Sequence, residues 1–159
     1  MLGPMTARAL VALALASLSA VTGCHQIHLD PNAKPELQVG TGEDDFETLG
    51  TGVTVPVIYG PQGGSHIWFA ARCRALGEHA VLDYSLEDEQ GNVVSGPQQV
   101  MLPDDPDDDE GWRTLTGLQA FVGDLGEGMH LTFKGHVDDS IGHTLDASGE
   151  ATVHGSDSL

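Results

Sequence analysis

Basic side chains are scarce in this chain. Six of its 159 residues are lysine or arginine against 24 aspartates and glutamates, a formal net charge of −18. Such a surface repels nucleic-acid phosphates and anionic lipid headgroups, so nucleic acid is excluded as a partner. Divalent cations or basic partners would be drawn to it, although high acidity also serves solubility alone. Cysteine is nearly absent. Cys24 and Cys73 are the pair, which allows one bridge at most and none if Cys24 is otherwise engaged. No His-x-His or His-Glu-x-x-His pair occurs, which removes the compact zinc motifs. The glycine cluster Gly60 to Gly64 has no following lysine and is not a phosphate loop. After residue 24 no stretch keeps a helical period over three turns, and no internal repeat is present.

What is present begins with one apolar run. Arg8 is the sole basic residue of the first thirty, and Ala9 to Val21 follow it without charge, about 13 residues. A bilayer-spanning helix needs roughly 20, so the run reads as an export signal and not as a permanent anchor. It ends in Val21-Thr22-Gly23-Cys24, which resembles the lipobox of bacterial lipoproteins. The resemblance implies removal of residues 1–23 and lipidation of Cys24. Two or more acyl chains give stable anchoring where one does not, so membrane attachment through the N-terminal lipid is the expectation. Residue 25 is His and not Asp; by the same resemblance, outer-membrane delivery is favoured over inner-membrane retention. With Arg8 gone, five basic residues face 24 acidic ones, a net charge of −19. Cys73, left without a partner, sits in an alternating apolar run and reads as a buried, inert thiol.

Residues 24–42 are polar, with Pro31 and Pro35, and read as a flexible tether. From residue 53 the period becomes two. Val53, Val55, Val57 and Tyr59 alternate with Thr54, Pro56 and Ile58, and Pro56 marks an edge strand. Ile67, Phe69, Ala71 and Cys73 share one strand face, while His66, Trp68, Ala70, Arg72 and Arg74 share the other. Further extended stretches cover Ala80 to Glu87, Val93 to Leu102 (broken around Gly96-Pro97), Trp112 to Val122, His130 to Val137 and Thr144 to Val153. About seven strands at short spacing predict an all-β, immunoglobulin-like antiparallel sandwich over residues 43–155, with 156–159 frayed. The last hairpin can be set in register. If Ser140-Ile141-Gly142 is a three-residue loop with Gly142 left-handed, Asp139 faces His143, His136 faces Asp146 and Thr132 faces Glu150.

The segment Val137 to Thr144 resembles the final hairpin of many bacterial immunoglobulin-like modules. Gly60 to Trp68 is similar to a segment of uncharacterised bacterial lipoproteins that carry a single such domain. The resemblance implies fold and brings no activity with it.

Four kinds of chemistry are worth weighing. Histidine-held zinc or copper is disfavoured because His130 and His136 lie roughly 20 Å apart on an extended strand at about 3.3 Å per residue; His66, His79 and His143 would have to converge from separate elements. Calcium is the second, at Asp105, Asp107 and Asp109 of the acidic loop, with Asp139 a weaker addition. A nucleophile elbow at Gly63 to Ile67 lacks its closing glycine and precedes a strand, so no catalytic residue is assigned and the chain is read as no enzyme. Last come the tryptophans. On an outer face beside His66 and Arg72, Trp68 would form a contact patch for a protein or glycan; more often a strand tryptophan in a two-sheet sandwich belongs to the core, and Trp112 is read the same way. The expectation is thus a lipid-anchored envelope lipoprotein with an interaction or structural role, without cofactor. The alternatives are a divalent-metal-binding lipoprotein and an accessory subunit of an envelope complex.

Overall fold

A computed structural model describes residues 33–61 and 63–155; the leader, Cys24 and residues 156–159 lie outside the described residues. The strands are β1 (Glu36–Thr41), β2 (Glu47–Thr48), β3 (Thr54–Pro56), β4 (Ile58–Tyr59), β5 (Ser65–Arg74), β6 (Val81–Asp88), β7 (Val93–Met101), β8 (Arg113–Val122), β9 (His130–Asp138) and β10 (Thr144–His154). Seven of these ten have six residues or more, and no helix occurs among the described residues. One sheet sets β5 between β8 and the line of β1 and β4, with β2 on the far edge of β1; the other runs β3-β10-β9-β6-β7. Their inner faces meet in a single core.

The core follows from period-two alternation. Ile67, Phe69, Ala71 and Cys73 of β5 are all fully buried, as are Leu82 and Leu86 of β6 and Phe133 and Val137 of β9. Phe69 stacks on Phe133 with ring centroids 5.6 Å apart and lies 4.8 Å from Tyr84. Leading and closing segments place the fold in the immunoglobulin-like class. The chain's first edge is divided: β1 pairs antiparallel with β5, while β3 crosses to the other sheet and runs parallel to the last strand, β10.

Three sequence expectations are corrected here. The tether read over 24–42 ends earlier, because Glu36–Thr41 is strand β1, and the domain starts there and not at residue 43. Leu37 and Val39 are buried and, with Leu82, fill the space where a side chain at residue 135 would stand, so Gly135 is what admits β1 to the core. The stretch 53–59 is not one strand. Thr54–Pro56 pairs with β10 and Ile58–Tyr59 with β5, and Val57, wholly buried, marks the crossing between sheets. Gly96-Pro97 does not break β7, which runs through with shifted pairing.

The last hairpin has the register expected of it. His136 pairs with Asp146, Thr132 with Glu150, and the Asp139 N–H donates to the His143 carbonyl at 3.1 Å, with Gly142 at φ +94°. Cys73 is buried and free; burial pushes its thiol up, against the opposing pull of Arg113.

Leu37→Ala tests where the domain begins. Loss of a buried leucine predicts a destabilisation of about 2–3 kcal/mol in urea unfolding, whereas the same change in a flexible tether would leave stability untouched.

Candidate functional site

Strand β5 is flanked by partners on both sides, so its outward residues form the middle of an exposed sheet face. That face is built around a loop. From the end of β1, residues 42–46 cross to β8, where the Gly117 N–H donates to the Gly42 carbonyl at 3.1 Å and the Thr116 hydroxyl to the Asp44 carbonyl at 3.3 Å. The cause is a bulge. Pairing shifts by one residue between Phe69–Leu118 and Ala71–Leu115, so β8 spends an extra residue opposite Ala70. The extra residue frees Gly117 from the ladder and lets Leu115 and Leu118, three apart, both pack on the core. Ala70, although outward by alternation, is fully buried beneath this strap.

On one side of the strap lies a stack of cations and rings. The Arg72 guanidinium sits 4.6 Å from the Phe46 ring centroid and 4.4 Å from that of Trp112, and Arg74 lies 4.6 Å from Trp112 on its own account. Phe46 stands in the space left free by Gly40. Arg72 donates twice to Gln38 and Arg74 twice to Glu36. Trp112 is 4 % exposed, yet outside the inter-sheet core: it is buried by arginine.

On the other side lies an aromatic row. Ile58, His66 and Phe121 are direct cross-strand partners on β4, β5 and β8. Trp68 stands next along β5, its ring centroid 4.4 Å from His66 and nearly edge-on at 72°, and the Phe121 ring lies 6.4 Å from His66 on the other strand. Trp68 is half-buried on the outer face, so the core reading is corrected for Trp68, whereas Trp112 is buried but against Arg72 and Arg74; His66 and Trp68, weighed as a contact patch, stand side by side on this face. Phe121 remains 60 % exposed. His66 is 8 % exposed and its Nε2 has no hydrogen-bond partner. Burial holds its pKa below the usual histidine value, against an upward pull from Glu43. An imidazole kept neutral in this way suits an apolar face. Ile58 and Phe121 were not singled out from the sequence; alternation alone puts Phe121 opposite in sense to buried Ala120 and Val122, but which strand it would neighbour is not written in its own segment.

The acidic candidates are placed elsewhere and do different work. Asp88, Asp108 and Asp139 each accept backbone N–H bonds from the residues two and four further on: Gln90 and Asn92 at 2.9 and 2.8 Å, Glu110 and Trp112 at 2.9 and 3.0 Å, Ile141 and His143 at 3.0 and 2.7 Å. In each loop the third residue after the aspartate is a glycine with φ between +80° and +94° (Gly91, Gly111, Gly142). Asp-x-x-Gly is thus a turn device, the carboxylate satisfying donors that a type I turn with a left-handed glycine leaves free.

The four aspartates weighed for calcium stand in separate surroundings. Asp139 also accepts from Gly77 N–H at 2.7 Å and from His143 Nδ1 at 2.8 Å, and its side chain is shut off from solvent. Burial raises its pKa, but these donors outweigh that and hold it at about 2. Asp107 caps the Thr114 N–H, while Asp105 and Asp109 point into solvent. Among the described residues no three His, Cys, Asp or Glu side chains are gathered for an ion. The histidines are dispersed likewise: His79 pairs with Asp104, His143 with Asp139 and His136 with Asp146. Ser65 donates its hydroxyl to the Val122 carbonyl at 2.9 Å. It faces away from its neighbour His66, as successive strand residues must.

A second concavity, about 760 Å³, lies on the outer face of the other sheet between Pro97 and the β9–β10 pair. Its charges are consumed internally: His136 lies 2.8 Å from Asp146, Lys134 is 2.6 Å from Glu87, and Asp83 accepts from Gln99. Hydrogen bonding to Asp146 raises the His136 pKa.

No family model matches the chain, and no curated protein matches it. Among solved structures, the crystal structure of CopC from Methylosinus trichosporium OB3b is similar, at 22 % identity over 67 % of this chain and 89 % of that one, with a TM-score of 0.33. The two superpose too loosely for residues to be equated.

Two outcomes follow from the carboxylate geometry. Because the Asp139 pKa is depressed in the folded state, its contribution is present above the ordinary carboxylate value and is lost as pH falls from about 4 towards 2. Asp139→Ala should remove about 1–2 kcal/mol at neutral pH and flatten that acid limb in urea titrations; an unchanged limb would refute the network. Millimolar calcium should leave the melting temperature of the wild-type chain where it is, since a ligand of the folded state would raise it.

Proposed function

We propose that this chain is an exported lipoprotein, held to the bacterial cell envelope by lipid on Cys24, and that its sandwich is a non-enzymatic binding domain for an envelope protein or glycan. The outer membrane is the favoured location. The carrying observation is the outward row of Ile58, His66, Trp68 and Phe121, apolar surface left open with a buried imidazole nitrogen unpaired within it. In the groove on the outer face of the other sheet the charged groups are already engaged, His136 with Asp146, Lys134 with Glu87 and Asp83 with Gln99.

The first strand and the patch meet β5 at opposite ends. The chain enters through Glu36, which pairs with Arg74 at one end of β5, whereas His66 lies eight residues away at the other, roughly 26 Å along the strand. Eleven residues lie between Cys24 and Glu36, a span of up to about 40 Å, so a lipid on Cys24 allows the domain to turn its aromatic end away from the membrane surface.

Two experiments carry the test. Cys24→Ala should move the protein from the membrane to the soluble fraction of lysed cells; retention would contradict the lipid tether. A photoreactive amino acid at position 121 should yield defined adducts in living cells, while the same group at exposed Ile141 should not. Equal or absent labelling would remove the binding face.

A further inference from the structure

We infer that the aromatic end of this face docks a cationic, apolar-bearing segment of a partner protein, with Glu43, Asp44 and Asp45 of the strap as its electrostatic lip. The inference rests on the reading of the sandwich as a binding domain and adds the chemistry of the partner.

Charge complementarity names the occupant. Glu43, Asp44 and Asp45 are all exposed, and none is in an ion pair among the described residues. The strap that carries them leaves β1 where the Thr41 hydroxyl donates to the Trp68 carbonyl at 2.7 Å and reaches β8 at Thr116 and Gly117, so these carboxylates are carried on the segment that bounds the aromatic row. Of the cations on the strands, Arg74 is engaged with Glu36, Arg72 lies between Phe46 and Trp112, Lys134 pairs with Glu87, and Arg113, buried, donates to the Gly77 carbonyl, while Lys34 stands exposed ahead of β1 and makes no ion pair with the strap among the described residues. The lip therefore holds unmatched negative charge beside an apolar slab, and aromatic faces attract cations as well. Lysine or arginine flanked by aliphatic or aromatic residues satisfies both parts.

The same charge weighs against other occupants. An anionic membrane or a nucleic acid is repelled. A second copy brings an identical acidic lip and a net charge of −18 of its own. His66 Nε2 supplies a specific point of recognition. It is enclosed and unpartnered, and Phe121, its cross-strand neighbour with ring centroids 6.4 Å apart, stands on an edge strand paired on one flank alone among the described residues. Phe121 turning aside opens the nitrogen to a polar group of the incoming segment, repaying a polar atom buried without a bond.

The test uses the mature chain with Cys24→Ser, whose core is complete from Leu37 to Val153, and a series of synthetic peptides with the same aliphatic and aromatic residues but with Lys/Arg, Gln or Glu between them. The cationic peptide should shift the amide resonances of Ile58, His66, Trp68, Phe121 and Glu43 to Asp45. Its affinity should fall as salt is added. Phe121→Ala should weaken it about tenfold. Glu43→Gln with Asp44→Asn and Asp45→Asn should weaken it several-fold while the melting temperature stays put. The inference is overturned if the three peptides bind alike, if shifts map to the β9–β10 groove, or if the face is covered by self-association at rising protein concentration. It is equally overturned if neutral glycans or lipid vesicles compete for the patch and the cationic peptide does not. Persistent adducts from residue 121 in cells, alongside a flat charge series, would discard the cationic partner and leave the binding domain standing; loss of both would discard the two together.

Discussion

Strand β5 has to satisfy two environments at once, and the rest of the molecule is arranged around that requirement. Its inner residues Ile67, Phe69, Ala71 and Cys73 are fully removed from water by the opposite sheet. Because side chains alternate, burying that stripe forces His66, Trp68, Ala70, Arg72 and Arg74 onto the other side. A slip of one residue would bury two arginines and expose a phenylalanine, so the register is held firmly. Everything outward is then an answer to those five side chains. The strap covers Ala70, Phe46 and Trp112 enclose Arg72, Glu36 takes Arg74, and only the His66–Trp68 end is left open.

Much of this was legible before any coordinates. Alternation in residues 66–74 separates the two faces of β5, and the Asp139 to His143 loop carries its own register. The remainder was hidden for physical reasons. Glu36 to Thr41 offers two aliphatic side chains, Leu37 and Val39, between polar residues and next to prolines; it becomes a strand because a glycine on β9 leaves room for it, a fact stored a hundred residues away. Val53 to Tyr59 keeps apolar residues at every second place, yet the chain changes sheets inside it, and period two is blind to which sheet a residue joins. The tryptophans were harder still. Trp112 is buried by two guanidinium groups from a strand that is distant in sequence, and average preferences for tryptophan contain no such information.

The acidic composition acquires a more definite meaning from the loops. Asp139, weighed as a metal ligand, is an internal cap, as are Asp88 and Asp108: at each of three turns one carboxylate gathers the N–H groups two and four residues on. A carboxylate whose lone pairs are already filled has little left for a cation. The strap carboxylates differ because they accept no such backbone bonds and stand beside apolar surface. Position and not number separates a structural aspartate from one available to a partner.

The central claim is that neighbouring residues on β5 belong to opposite worlds, Phe69 to the core and Trp68 to the open face. The most direct measurement is the thermal unfolding, followed by circular dichroism, of Trp68→Asp beside Phe69→Asp. The account predicts a cooperative transition for Trp68→Asp, lowered modestly from wild type, and no folded baseline at all for Phe69→Asp. A folded Phe69→Asp protein, or a Trp68→Asp protein that fails to fold, would contradict it.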